Sequence, residues 1–420
     1  MRNPENTLRI LAASAAAAAI FSACAATPAD DDTLDNDRVN IVLTKAQTSM
    51  VSAGNDLSVK LLRAVCESDK SIVFSPMSVQ YALAMLDNGA AGNTAEQIGK
   101  ALGFEENDIE KINDYYAFLT SSLLTVDKTS KISVANCFVY NTAYDSVFGG
   151  ILPSFKDALQ DSYGAEVCGY DFDRQNQETL RHINSWASNQ TAGMIDPLLD
   201  EVVPEAFSYL MNAIYFKGKW EDMFSEKDTR KQDFTLEGGG RVSVDMMHRT
   251  ANTGFATGNG FSSVTLPYGN GAFRMTVVLP ESGKTCADVA GEIDAKEWIR
   301  IAGASKTSVV LYLPKFETES TLELNDILVQ FGMTDMFSSM ADFSNLAEGP
   351  LGVSRVFQKA RIKTDEDGSE AAAVTVVEMK LTSAAPGSSE IVFKADRPFL
   401  YAISEVSTGA ILFMGQYAGK

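Results

Sequence analysis

Two rhythms of apolar residues run along this chain, helical in the first half and strand-like in the second. Residues 44–66, TKAQTSMVSAGNDLSVKLLRAVC, place apolar side chains at helical spacing, with Gly54 weakening the middle. Ile72–Phe74 reads as a short buried strand. Ser75 then caps a helix whose first turn holds Pro76, where a missing N–H costs nothing. Gly89 ends that helix after about Asn88, and a second runs from Thr94 to Leu102. KISVANCFVYN (131–141) is a strand, and helices are predicted after Pro153 and over 177–195. From there strands take over, at SYLMNAIYFKGKW (208–220), RVSVDMMHRT (241–250), SSVTLPYG (262–269), FRMTVVLPE (273–281) and TSVVLYLPKFETES (307–320). A helix is expected over 321–333. The chain closes on two apolar strands within 391–417, joined by a Ser-Thr-Gly turn. Helices first and strands later make the fold class α+β with mixed sheets.

One segment fits neither rhythm. DEDGSEAAAVTVVEMKLTS (365–383) opens with acids, passes through three alanines and then alternates. Ser369, Ala371, Ala373, Thr375, Val377, Met379 and Leu381 share one face, and all are small or apolar. Glu370, Ala372, Val374, Val376, Glu378 and Lys380 share the other, which begins and ends with charge. Such a face could be buried in a sheet, yet Gly368 precedes the run and TSAAPGSS (382–389) follows it as loop. It is a strand written into a loop.

Bulk numbers narrow the picture. A length of 420 residues favours two or three domains, and 45% hydrophobic with 21% charged residues supports a large core without staples. The net charge of −20 argues against nucleic acid as a partner. At the N-terminus Arg2 and Arg9 flank the start of an apolar, alanine-rich run, too short for a stable membrane span, that ends Phe21-Ser22-Ala23-Cys24. It resembles a bacterial lipoprotein signal, in which Cys24 becomes acylated, although Phe21 departs from the usual Leu; Ala23-Cys24-Ala25 also fits an ordinary cleavage site. Residues 1–24 are thus expected to be a signal peptide and 25–39 an acidic, disordered tether. The expected location is exported, held at a membrane of the cell envelope through the lipid, or otherwise secreted.

Chemistry for an enzyme is sparse. His182 and His248 are the two histidines; neither has a nucleophile signature nearby, and both read as structural. Gly238-Gly239-Gly240 lacks the Lys-Ser/Thr of a phosphate loop and reads as a hairpin turn. Cys66, Cys137, Cys168 and Cys286 have wide spacing with neither a CxxC pair nor a metal pattern, and are expected to be buried free thiols. No cofactor and no metal are expected.

Five separate stretches, in order, carry a family likeness: VFSPMSVQYALAMLDNGAAGNTAEQI, INSWASNQTAGMI, MNAIYFKGKW, DEDGSEAAAVT and FKADRPFLYAI…ILFMGQY. Over about residues 40–420 the chain resembles the serpins, inhibitors of serine and cysteine proteases. The resemblance overrules the length argument. It implies one domain of about nine helices and three β-sheets, with an exposed reactive loop and hinge over about 366–389. It further implies a monomer that forms a one-to-one covalent complex with a target protease and is not itself an enzyme. The loop would be cut, and it would then slide into the main sheet and drag the acyl-enzyme with it.

The hinge maps onto Glu366, Asp367, Gly368, Ser369, Glu370, Ala371, Ala372, Ala373 and Val374, the last larger than usual for the family. Counting fourteen places from Gly368 puts the reactive bond at Thr382-Ser383, which suits elastase-like or subtilisin-like targets; Lys380-Leu381 is the alternative, a trypsin-like cut. A polar cluster beneath the opening sheet maps onto Ser75, Ser78 and Asn212, with Gln358 where the family has histidine. A Gln amide still donates and accepts. Trp220 falls where the loop would go in. The other readings are a binding protein on the same fold and, further off, a hydrolase.

Overall fold

Local caps fix where several helices begin. The Thr44 hydroxyl accepts from Gln47 N while the Gln47 side chain accepts from Thr44 N, a reciprocal box that starts the first helix at Lys45. Ser75 accepts from Ser78 N and Pro76 follows it, as expected. The computed structural model describes residues 37–66, 69–104, 107–369 and 391–419, and Asn36–Lys420 packs as one unit. The signal peptide and most of the tether, Cys24 included, lie outside the described residues, as do Glu370 to Glu390.

Among the described residues the α-helices are α1 (Lys45–Val65), α2 (Pro76–Asp87), α3 (Gly92–Ala101), α4 (Ile109–Leu123), α5 (Asp145–Phe148), α6 (Pro153–Tyr163), α7 (Asn176–Gln190), α8 (Cys286–Glu292), α9 (Ala295–Ala302) and α10 (Asn325–Gln330). The strands of the first half are β1 (Ile72–Phe74), β2 (Lys131–Asn141), β3 (Glu166–Tyr170) and β4 (Ser208–Lys219). Those that follow are β5 (Arg230–Thr235), β6 (Arg241–Gly258), β7 (Phe261–Tyr268), β8 (Phe273–Pro280), β9 (Lys306–Pro314) and β10 (Phe316–Glu323). The last are β11 (Phe357–Thr364), β12 (Gly368–Ser369), β13 (Ile391–Lys394), β14 (Phe399–Glu405) and β15 (Ile411–Tyr417). A nine-stranded sheet runs β1-β15-β14-β8-β7-β6-β9-β13 with β5 beside β6; a six-stranded sheet runs β10-β11-β12-β4-β2-β3. The third expected sheet is continuous with the nine-stranded one, because the 18-residue β6 pairs with β5, β9 and β7 along its length.

In the six-stranded sheet β2 and β4 are buried on both faces. Phe138, Ile214 and Phe216 point into the main core; Cys137, Val139, Met211 and Ala213 point into a second core beneath α7, with Ile183, Trp186 and Ala187. Double burial is why β4 reads as a near-continuous apolar run. The expected helix over 321–333 shrinks to α10, because Thr321-Leu322-Glu323 continue β10 as far as the pairing of Glu323 with Phe357. The expected strand 307–320 divides at Lys315, whose N–H makes the last hydrogen bond to the β6 side, at Asp245 O, before the chain turns to pair with β11 from Phe316.

The four described cysteines are free; Cys137 and Cys286 are buried and Cys66 and Cys168 are half-buried. His248 stacks on Tyr312, ring centroids 4.4 Å apart.

Gly415 sits mid-strand in β15, between Val73 and Tyr401. A Cβ there would stand 2.3 Å from Ile72 O and 2.5 Å from the Tyr401 ring. Gly415→Ala should therefore lower stability by about 1–3 kcal/mol, read as a drop in melting temperature. An unchanged melting temperature would show that β1 and Tyr401 can give way.

Candidate functional site: a split sheet and the segment docked at its top

Between β11 and β4, the two long strands at the middle of the six-stranded sheet, stands only the two-residue β12. Ser369 pairs with Thr364 on one side and with Gly218 on the other, and Gly368 faces Lys219. Below that point no strand pairing joins β11 to β4 among the described residues. A narrow cleft, partly open to solvent, lies there, walled by Asn212–Phe216, Gln358–Lys363 and the segment after α7 that carries Thr191, Met194 and Ile195.

The chain reaches β12 through a docked turn. Asp365 N donates to Gly368 O (2.9 Å), Trp220 N to Asp367 O (2.8 Å) and Phe224 N to Glu366 O (3.0 Å). The Trp220 indole Nε1 donates to Asp365 O at 2.9 Å, and its ring stacks on Tyr268 at 4.4 Å and 14°. The Tyr268 hydroxyl shares a 2.7 Å hydrogen bond with the Ser369 hydroxyl, which also lies 3.3 Å from that of Thr364. Gly368 is required by closeness, since a Cβ would fall 2.0 Å from Gly218 O. Residues 366–369, expected within an exposed loop, are therefore packed into the top of the sheet, with Ser369 only 2% exposed.

Charge fastens the turn as well. Lys315 Nζ lies 2.6 Å from Glu366 Oε2, and the Thr229 hydroxyl donates to Glu366 Oε1 at 2.8 Å. Burial alone would raise the Glu366 carboxyl; the hydrogen bonds from Lys315 and Thr229 outweigh it and hold the group below the ordinary glutamate range. Its neighbour Asp365 moves the other way, raised by burial.

At the base of the cleft the polar residues expected to cluster do meet. Ser75 N donates to Gln358 Oε1 (2.9 Å) and Gln358 Nε2 donates to Ser75 O (2.8 Å), closing a ring between α2 and β11. The Ser75 hydroxyl donates to Leu412 O (2.7 Å) and that of Ser78 to Asn212 O (3.3 Å). Asn212 Nδ2 donates to Asn136 Oδ1 at 2.7 Å, and Asn136 Nδ2 in turn to Tyr163 O at 2.8 Å. Sequence reasoning missed Asn136, Tyr268, Lys315 and Thr229; each is polar at a position where its own strand or loop gives no reason for burial. Glu370, Ala371, Ala372, Ala373 and Val374, and both proposed bonds, Thr382-Ser383 and Lys380-Leu381, lie outside the described residues.

A family model described as Serpin (serine protease inhibitor) matches residues 52–419. The chain is a serpin. Iripin-8 of Ixodes ricinus is 32% identical over 410 residues, covering 94% of this chain and 98% of its own. The thermophilic serpin tengpin, in the native state, superposes with a TM-score of 0.80 at 29% identity, over 92% of this chain and 97% of its own. Human thyroxine-binding globulin, solved with its hormone, gives 0.78 at 29%, over 88% and 98%. Serpins thus include serine protease inhibitors and at least one thyroxine-binding protein. No helix among the described residues of this serpin is long and apolar enough to cross a membrane.

The Glu366 anchor makes a pH-dependent prediction. A carboxyl held below its unfolded value stabilises the fold fully above that value, and the contribution fades as pH falls through the folded one. The melting-temperature gap between wild type and Glu366→Gln should be widest near neutrality and close as pH drops from about 5 to about 3. A gap that stays constant over that range would mean that the ion pair contributes nothing.

Proposed function

We propose that this serpin is an irreversible inhibitor of serine endopeptidases that traps its target as an acyl-enzyme when the cut loop enters the cleft between β11 and β4. One observation carries the reading: β12 is a strand already started in that cleft, and the sequence beyond it has the face such a strand needs. With Ser369 opposite Gly218 and Thr364, the same register would set Ala371 between Phe216 and Ile362, and Ala373 between Ile214 and Ala360. Directly opposed residues project to one side of a sheet, and these four partners all lie in the main core. Small residues thus enter first, where the strands must part.

Thr375 would follow between Asn212 and Gln358. Its hydroxyl would reach Asn212 Oδ1, which is buried and accepts no hydrogen bond from any described residue. Val377 would then face Leu210 and Met379 Ser208, where β4 ends. Burying the Val377 and Met379 side chains favours insertion by about 1.5–3 kcal/mol each. Pairing the free edges of two strands adds to it, so the uncut form would be a kinetic trap.

The scissile bond we assign is Thr382-Ser383, with a small side chain for a shallow elastase-like or subtilisin-like pocket; Lys380-Leu381 is the alternative for a trypsin-like enzyme. An acyl group on Cys24 would hold the domain at a membrane surface. The second reading, a carrier like thyroxine-binding globulin, is favoured by that protein's place among the structural neighbours. The three successive alanines of the hinge weigh against it, because they remove the bulk that would block insertion.

Mixing the protein with an elastase-like protease should give a one-to-one complex that survives boiling in detergent. Cleavage or indifference without such a complex would favour the carrier. Ser369→Arg must bury a guanidinium where Tyr268 and Thr364 now meet a hydroxyl, so it should turn the inhibitor into a substrate cut at the same bond. Undiminished complex formation by that variant would reject insertion as the mechanism.

A further inference from the structure

β2 and β3 are parallel neighbours at the edge of the six-stranded sheet, with Cys137 opposite Glu166 and Val139 opposite Cys168. Glu166, Cys168 and Tyr170 alternate along β3 and share the face toward α7. There Tyr170 packs against His182, ring centroids 5.4 Å apart. Three donor atoms converge. Cys168 Sγ lies 3.4 Å from Glu166 Oε1 and 3.5 Å from His182 Nε2; that nitrogen lies 3.4 Å from the same carboxylate oxygen. The Cys137 thiol is fully buried beside this group and belongs to the core beneath α7.

We propose that Cys168, His182 and Glu166 form a three-ligand binding site for a zinc-class divalent cation. The geometry is the main argument. Donors bound to tetrahedral zinc stand about 2.0–2.3 Å from the metal, which puts neighbouring donors about 3.3–3.8 Å apart. All three separations fall in that interval, so Cys168, His182 and Glu166 already outline one face of a tetrahedron, and water would complete the fourth corner. A sulfur, an imidazole and a carboxylate form a set that suits zinc, whereas calcium and magnesium take oxygen. Glu166 is exposed and Cys168 and His182 are half-buried, so an ion reaches the site without the fold opening.

No metal-binding spacing in the sequence announces such a site, because its ligands come from a strand and a separate helix. That is why the cysteines read as inert and His182 as merely structural. The cation would join α7 to β3. α7 leads directly into Thr191, Met194 and Ile195, which wall the cleft, so metal would brace the element lying over the gap. The binding claim does not depend on the inhibitor reading.

The test uses untagged protein, reduced and freed of metal. One equivalent of cobalt(II) should give the thiolate-to-cobalt charge-transfer band and the visible bands of a tetrahedral site; zinc should abolish both and raise the melting temperature. Cys168→Ser and His182→Gln should weaken zinc binding by more than the ~10–100-fold that loss of an outer-shell partner costs. Cys286→Ala, which removes a buried thiol elsewhere, should leave it unchanged. The proposal is overturned if no tetrahedral cobalt spectrum appears, or if the spectrum persists in both ligand variants. It is equally overturned if the reduced protein re-forms a Cys137–Cys168 disulfide in preference to taking up one equivalent of metal.

Discussion

A strand edge in a folded protein needs a hydrogen-bonding partner, and among the described residues two long edges here face each other with a partner at one end. β4 and β11 each complete their outer ladders, with β2 and β10, but on their inner sides the described residues they pair with are Gly368 and Ser369. Backbone groups left this way are costly where water is scarce. That need is what the proposed insertion of one more strand would meet. The turn at the top of the gap between β4 and β11, the polar cluster at its base and the segment after α7 across its face all border it.

The top and base hold the strands by different means. At the top, buried contacts converge on a few residues: Trp220 and Tyr268 stack, Ser369 joins Tyr268 and Thr364, and Glu366 is tied by Lys315 and Thr229. At the base, neutral hydrogen bonds run from β11 through Gln358 to Ser75, then through Ser78 to β4. The second set crosses the gap without filling it. It links the two strands through α2, which is the geometry of a latch that can be released one bond at a time.

Much of this was legible before the coordinates. The caps at Ser75 and Pro76, the strand 131–141 and the alternation after Gly368 all follow from local rules, and Ser75, Ser78, Asn212 and Gln358 meet as expected. α4 is absent from the expected helices although its stripe of Ile112, Tyr115, Tyr116, Leu119 and Leu123 has plain helical spacing. The other failures have physical causes. β11 carries Lys359, Arg361 and Lys363 between its buried residues, so its strand character depends on Glu317 and Glu319 across the ladder, which local sequence cannot reveal. Glu366 is expected in an exposed loop because the resemblance places it at the start of the hinge. It is buried because Lys315, some fifty residues earlier in the sequence, meets it.

Gln358 has a consequence of its own. The latch at the base of the gap is made of two hydroxyls, two side-chain amides and backbone, and none of these gains or loses a proton in the range where histidine does. A serpin with an imidazole at that position has a lock that mild acid can loosen. In this one the fastening at the base holds no group that titrates in mild acid, whereas the turn at the top holds two carboxyls, Asp365 and Glu366, that burial and hydrogen bonding shift in opposite directions.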